Sequence, residues 1–508
     1  METSDIKRFA ANAQENRGRV LLLFLLFLLS IYQLVKSGVN GMALLCMLPI
    51  SILFIVAVFR WRMFTFWLLF IVNYTVMGLN RYNYMPLPSS IPNEMLSILL
   101  ILIALIDSKI IAQARTVNLM GICIGFWCAF CTLELLNDTC ALGINVGAWY
   151  QGARLMAFQM LYAYLVCSLY INTPKLLKQF MMMWAVCSLC AAYWAWQQKT
   201  LGFTATEKSW LVYAGRTHMV NGIIRYFSFF TDAANFGINM AASSVVFYIL
   251  AITGKIKRER LFYLATGLFC TWAMFTSGTR TAVFCMIAGF CLYIVLSKSV
   301  KIAVPVLLVF GTLVCILAFT KIGDGNSMVR RMRSAFDRND ASAGVRDINK
   351  DAIRKYIKDA PWGIGIGIGN YSNIPSNNKY QKLSMIPPDS EYVFIWVHTG
   401  IIGITVFVML TAIMLAGGCI TAMFRLKSKS LQGLASGICC GFVSIQLGGY
   451  GNQILMQFPN VLLFYGGLAL VYTMPYMEKA WIEDENMRLE KQEERKRLKE
   501  KKKREKRV

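Results

Sequence analysis

The sequence predicts an all-α polytopic membrane protein of about fourteen transmembrane helices with one large polar loop, and three observations predict it. Hydrophobic residues make up 56% of the 508, and the mean hydropathy is +0.50, outside the range of water-soluble globular chains. Apolar runs of about 17 to 25 residues recur along the chain, the length a helix needs to cross a bilayer. The short connections between the runs alternate between basic and non-basic, as expected of turns on alternating sides of a membrane.

The runs begin near Val20, Gly41, Met63, Glu94, Val117, Arg154, Gln179, Ala234, Leu261, Thr281, Ile302, Glu391, Leu431 and Phe458. Residues 1–19 are polar and basic, and no small-residue cleavage site follows the first run, so a retained span is expected rather than a removed signal peptide. With the N-terminus in the cytoplasm, every inner turn is basic: Arg60 to Arg62, Lys109 to Arg115, Lys175 to Lys178, Lys255 to Arg260, Lys298 to Lys301 and Arg425 to Lys429. The outer turns near Ser37, Asn80 to Asn93, Asn137 to Tyr150 and Gly448 to Gln457 carry few basic residues. The transmembrane region, 20–478, is followed by a dense mix of Lys, Arg and Glu over 479–508, expected in the cytoplasm. That tail reads either as a solvated helix or as a contact with anionic lipid worth about 1 kcal/mol per basic residue held at the surface. The net charge of +25 is thus first a matter of topology, and no nucleic-acid partner is expected.

Two long connections, 197–233 and 321–390, fall on the outer side in this topology. Long translocated loops are exempt from the charge rule, so their arginines need a separate explanation. These are Arg216 and Arg225 in the first loop and Arg330, Arg331, Arg333, Arg338, Arg346 and Arg354 in the second. Arg280 joins them, because the Ser277 to Arg280 turn between two spans also faces outward. Guanidinium forks bind phosphate oxygens in bidentate fashion and stay charged at working pH, so arginines converging at a lipid boundary suit a diphosphate head group. The alternative is that each caps a helix end or snorkels to the interface.

The glycine run from Gly363 to Gly369 lacks the Gly-Lys-Ser/Thr of a nucleotide loop and reads as an extended, turn-rich segment that lets backbone approach a partner closely. Ahead of it, Val345, Ile348, Ala352, Ile353 and Tyr356 recur at helical spacing, which predicts a short amphipathic helix stopped by Pro361. Asp389 and Glu391 open the next span. Asp389 is a candidate general base for an attacking hydroxyl; alternatively both carboxylates favour a helix N-terminus capped by Ser390. His398 reads as a hydrogen-bonded interior histidine, and Glu134 is open between structure and function. His218 has no evident partner. No metal site is expected: Asp324, Asp337, Asp340 and Asp347 lack a calcium-loop spacing, and the two Cys-x-x-Cys pairs, Cys128 with Cys131 and Cys187 with Cys190, sit in apolar surroundings.

Several segments, taken in order, resemble the bacterial O-antigen ligase and polymerase superfamily, over roughly Arg216 to Gly403. The stretch from Arg225 through Asp232 to Asn235 is similar to the family's Arg, aromatic, Asp-Pro-Asn segment. Ser277 to Arg280 resembles its Ser-x-Ser-Arg turn. Arg346 precedes an amphipathic helix, and Pro361 to Tyr371 is similar to its Pro, Gly-Val-Gly, Asn-Phe run. The resemblance implies a GT-C-like helical glycosyltransferase of the bacterial inner membrane, with both termini cytoplasmic and a periplasmic active site. It implies an undecaprenyl-diphosphate-linked glycan donor, a glycan, lipid or protein acceptor, and no cofactor. It also implies site roles: Asp389, Arg280 and Arg225 in catalysis, with Arg216, Arg346, Asn235, Ser277 and Glu391 in substrate binding. Ligase members carry His-Asn where this chain has Asp389 and Ser390, and a Glu where it has His398 ahead of Gly400 and Gly403. Asp389 is the positional substitute, which favours a polymerase over a ligase. A polysaccharide transporter is a third reading, against which stand the lack of an internal repeat and the concentration of polar residues at one face.

Overall fold

Long apolar runs alternating with short polar turns give a helical bundle. The computed structural model describes residues 60–82, 90–106, 116–220, 223–325, 327–336, 341–368 and 374–505, with scattered positions between 21 and 58. The chain divides into two units, residues 1–65 and 66–508; the described residues of the first are helical apart from a turn at Trp61. In chain order the helices are α1 (Arg62–Tyr82), α2 (Ile91–Ile106), α3 (Leu119–Leu133), α4 (Val146–Ala153), α5 (Gln159–Tyr170), α6 (Pro174–Thr200), α7 (Ala205–His218), α8 (Ala233–Thr253), α9 (Lys257–Thr276), α10 (Arg280–Ser297), α11 (Val300–Phe319), α12 (Ser327–Arg333), α13 (Ala341–Ile357), α14 (Glu391–Ile420), α15 (Lys429–Gly451) and α16 (Gly466–Glu505). Among the described residues, the one strand pairing is a two-residue ladder of Met219–Val220 with Ile223–Ile224.

Eight helices among the described residues are long and apolar enough to cross a membrane: α1, α3, the bent α4–α5 pair, α6, α8, α10, α14 and α15. The expected spans from Val20 and Gly41 lie wholly or partly outside the described residues, and α11 covers the span expected from Ile302. Of the others, α2 is apolar but has 16 residues, and α9 opens on Lys257, Arg258, Glu259 and Arg260.

Helices α8 and α15 form the centre, each 83% buried over its apolar window. Small residues let their neighbours close in: a side chain at Gly289 of α10 would collide with Ser444 of α15, and one at Gly433 of α15 with Thr253 of α8. A polar chain threads this core. Asn460 donates to Asn235 and accepts from Asn239, both at 2.7 Å, and Asn235 donates to the Phe458 carbonyl at 3.0 Å. Buried amides must find partners, and here they find one another.

The two ends of the bundle differ in how their basic residues are met. At one end the basic turns gather around the first part of the C-terminal segment: Lys178 pairs with Asp484, Lys255 with Glu485 at 2.7 Å and Arg488 with Glu259 at 3.0 Å. Glu478 accepts from the Lys427 and Ser428 amides in the same region. The expected helical tail is therefore docked through its first turns before it continues to Glu505. The starts of α8, α10 and α14 lie at the other end, where the arginines collect.

Candidate active site

The turn from Ser277 to Arg280 is the node of that second end. Gly278 has φ +59°, a conformation that favours glycine, and a side chain there would press on Arg331 at 3.1 Å and Arg225 at 3.4 Å. The missing side chain lets two arginines close over the turn. Arg225 donates to the Ser277 carbonyl at 3.3 Å and to Thr279 Oγ1 at 3.0 Å, and Arg331 donates to the Gly278 carbonyl at 2.7 Å. Arg280 donates to Ser334 Oγ at 3.1 Å, which ties the start of α10 to the turn after α12.

Burial, and then the neighbouring Arg331 guanidinium, bring Arg225 down to about 10; Arg280 and Arg346 push the same way and Asp232 opposes them. Arg225 is still charged at neutral pH, so several guanidinium groups lie within electrostatic reach of one another with one carboxylate among them. Such a cluster is unfavourable alone and becomes favourable when an anion settles in it.

Beside this cluster lies a cavity of about 680 Å³. Arg346, Asp347, Asn349, Lys350 and Asp389 supply its polar side, and Thr281, the residue after Arg280, also lines it. Tyr392, Trp396, Ile401 and Leu447 from α14 and α15 supply an apolar wall. Asn349 donates to Asp389 Oδ2 at 2.9 Å, which orients the carboxylate at the cavity wall. Ser390 caps α14 by accepting from the Tyr392 amide at 3.2 Å, as expected.

The sequence-named residues thus part company. Asp389 and Arg346 line the cavity, while Arg225 and Arg280 stand at the adjoining turn and make their described contacts with it and with Ser334. Glu391, Asn235 and Ser277 face inward. Glu391 accepts from the Leu455 amide at 3.0 Å, Asn235 belongs to the amide chain in the core, and Ser277 Oγ donates to the Met274 carbonyl at 2.7 Å. Arg216 lies in α7, with its side chain outside the described residues. Among the other loop arginines, Arg330 and Arg333 fold back on the end of α11 and the turn that follows it, and Arg338 is outside the described residues.

Asn349 and Lys350 were not singled out from the sequence, and Arg331 was named only among the loop arginines, with no site role. The helical spacing did locate α13, but the expected apolar face was partly misassigned. Val345 and Ile348 are exposed, whereas Ile353 and Ile357 are buried and Asn349 is half-buried, so the face that meets the bundle runs through Asn349, Ile353 and Ile357, and the exposed Arg346 continues it along the cavity. Spacing from the two buried isoleucines alone marks that face. His218 does have a partner: its ring accepts from the Ala233 amide at 3.3 Å and packs on Trp210 and Phe227.

The glycine run has an internal partner. α14 is broken at Gly400, with φ 64° and ψ −168°, and the segment after Pro361 docks into the break. The Ile364 amide donates to the Val397 carbonyl at 2.9 Å, the Gly365 amide to the His398 carbonyl at 3.0 Å, and the Ile402 amide to the Pro361 carbonyl at 3.3 Å. His398 is an interior residue with its ring nitrogens 2.8 Å from the Phe394 and Ile368 carbonyls, so it joins the span to the end of the run. On the other side Gly367 lies against the Ala148 carbonyl of α4.

No curated protein matches the chain. Residues 265–408, from within α9 to the middle of α14, match the model of a family described as O-antigen ligase, and over that segment the resemblance to the O-antigen ligase and polymerase superfamily is borne out.

Proposed function

We propose that the protein is a membrane glycosyltransferase that polymerises oligosaccharide repeat units carried on undecaprenyl diphosphate, at the periplasmic face of the inner membrane. The observation that carries this reading is the arginine cluster over the Gly278 turn, adjoining a cavity with an oriented carboxylate on one side and an apolar wall on the other. A lipid-linked diphosphate needs both surfaces. A hydroxyl of the acceptor attacks the anomeric carbon of the donor, the bond to the diphosphate breaks, Asp389 takes the hydroxyl proton, and Arg225, Arg280 and Arg346 stabilise the charge on the departing diphosphate. Stabilising that developing charge is the larger part of such catalysis. Glu391, Asn235 and Ser277 act as positioning residues: they fix the starts of α14, α8 and α10.

Purified protein incubated with a lipid-linked repeat unit is expected to give a ladder of products. Arg280→Ala should reduce it by about a hundredfold or more, the size of effect found when one charge-stabilising donor is removed, and Asp389→Asn should lower turnover with the donor still bound. A normal ladder from Arg280→Ala refutes the mechanism. The family description favours a second reading, a ligase that moves the glycan to lipid A core or to protein; it predicts one transfer per donor onto a new anchor and no ladder.

A further inference from the structure

A second cavity, of about 530 Å³, opens where the end of α3, the start of α4 and the glycine run meet. Its position at the same end of the bundle as the first follows from the packing of α3 against α14, which run antiparallel. Trp127 of α3 contacts Phe407, while Phe130, further along α3, stacks on Trp362 at the edge of the glycine segment. The two cavities flank one small hydrophobic cluster: Ile353 and Val393 separate it from the first, Leu142 and Ile368 from the second.

Three polar side chains with unused hydrogen-bonding capacity converge on this second cavity. Glu134 is buried, and one of its oxygens accepts from Asn137 Nδ2 at 2.7 Å; its other oxygen has no protein partner among the described residues. Asn145 accepts from the Ala148 amide through its oxygen, which leaves its amide nitrogen available. Gln151 is exposed and makes no hydrogen bond among the described residues. Trp149 also lines the space, its indole N–H fixed at 2.8 Å to the Cys131 carbonyl. No basic residue is among the described lining residues, so a diphosphate finds nothing there to neutralise it.

A carboxylate oxygen and two amides suit a ligand rich in hydroxyls, which both donate and accept, and an indole suits the apolar C–H face of a pyranose ring. The volume lies within the range of small-ligand sites, about 300 to 1,000 Å³. We propose that this cavity binds sugar residues of the acceptor glycan, while the first takes the diphosphate and reacting sugar of the donor. The assignment of the sugars to an acceptor rests on the function proposed above; the binding of sugar itself does not.

The test uses the full chain in lipid nanodiscs with the methyl glycosides of glucose, galactose, mannose and N-acetylglucosamine, read by saturation-transfer NMR. At least one glycoside should bind saturably. Gln151→Ala combined with Glu134→Gln, which leaves an oxygen for Asn137, should weaken that binding by about tenfold or more, the equivalent of one good hydrogen bond. Arg280→Ala should leave it unchanged. Saturable binding that the double variant does not alter, displacement by pyrophosphate, or no binding of any of the four overturns the proposal. Glycoside binding without glycosyl transfer leaves the cavity assignment standing and removes the proposed function. Transfer with an unchanged acceptor KM in the double variant does the reverse.

Discussion

Gly400→Ala tests how the glycine run is held. Residue 400 has φ 64° and ψ −168°, and a side chain there would sit 1.9 Å from the Pro361 carbonyl oxygen and 2.4 Å from the Gly363 nitrogen. The backbone strain alone costs about 1–3 kcal/mol. Relieving the clash requires Pro361 and Gly363 to move away, which loosens the bonds from the Ile364, Gly365 and Ile402 amides at 2.9, 3.0 and 3.3 Å. At about 1 kcal/mol net for each bond, the local penalty is about 4–6 kcal/mol in all. That exceeds what a short docked segment is expected to hold, whereas the central α8–α15 packing is untouched. The assay is amide hydrogen exchange by mass spectrometry in nanodiscs. Peptides covering 361–368 should lose most of their protection, and peptides from α8 and α15 should keep theirs. Unchanged protection at Ile364 and Gly365 refutes the docking described here.

Three further outcomes follow from the same structure. Asn460→Leu removes the shared partner of Asn235 and Asn239 and should destabilise the bundle by about 2–4 kcal/mol, seen as a lower thermal midpoint. Pyrophosphate should raise the midpoint in wild type and less in Arg225→Ala. The penalty of burying the charged Arg225 among other arginines is present below a pH of about 10 and fades above it, so the pyrophosphate effect should persist from neutral pH to about 9 and decline beyond it. Asp484 loses some affinity for its charge through partial burial, but Lys178 and Arg488 outweigh that and hold its carboxyl below the usual range. Its contribution to docking the C-terminal helix is present above the ordinary carboxylate value and lost as pH falls through the lowered one, so exchange protection around 478–488 should drop only in strong acid.

Much of this arrangement was legible in the chain because hydropathy and charge act locally. The apolar runs located the helices, and the basic turns from Lys175, Lys255 and Arg425 meet at one end around Glu478, Asp484 and Glu485. Asp389, Ser390 and Arg346 were readable because a carboxylate, a cap and a cation at a span entrance have few other uses. Long-range pairing was not readable. Nothing local to Asn235 announces Asn460, more than two hundred residues away, and an arginine's composition does not say whether it faces a cavity or a carbonyl. Arg330, Arg331 and Arg333 are near neighbours, yet two fold a turn and one clasps Gly278. The glycine run pointed to close backbone approach but not to its partner, because the break in α14 depends on a single torsion angle at Gly400.

That break also bears on the order in which the protein can be completed. Residues 361–368 leave the ribosome before residues 397–402, whose carbonyls and amides they bond to, and chains acquire structure as they are made. Until α14 has been synthesised and inserted, the glycine segment has only the α4 side of its eventual slot. The glycine segment is therefore completed only when a later helix arrives, and a chain halted after α13 would display an unsatisfied segment for proteases and chaperones to find.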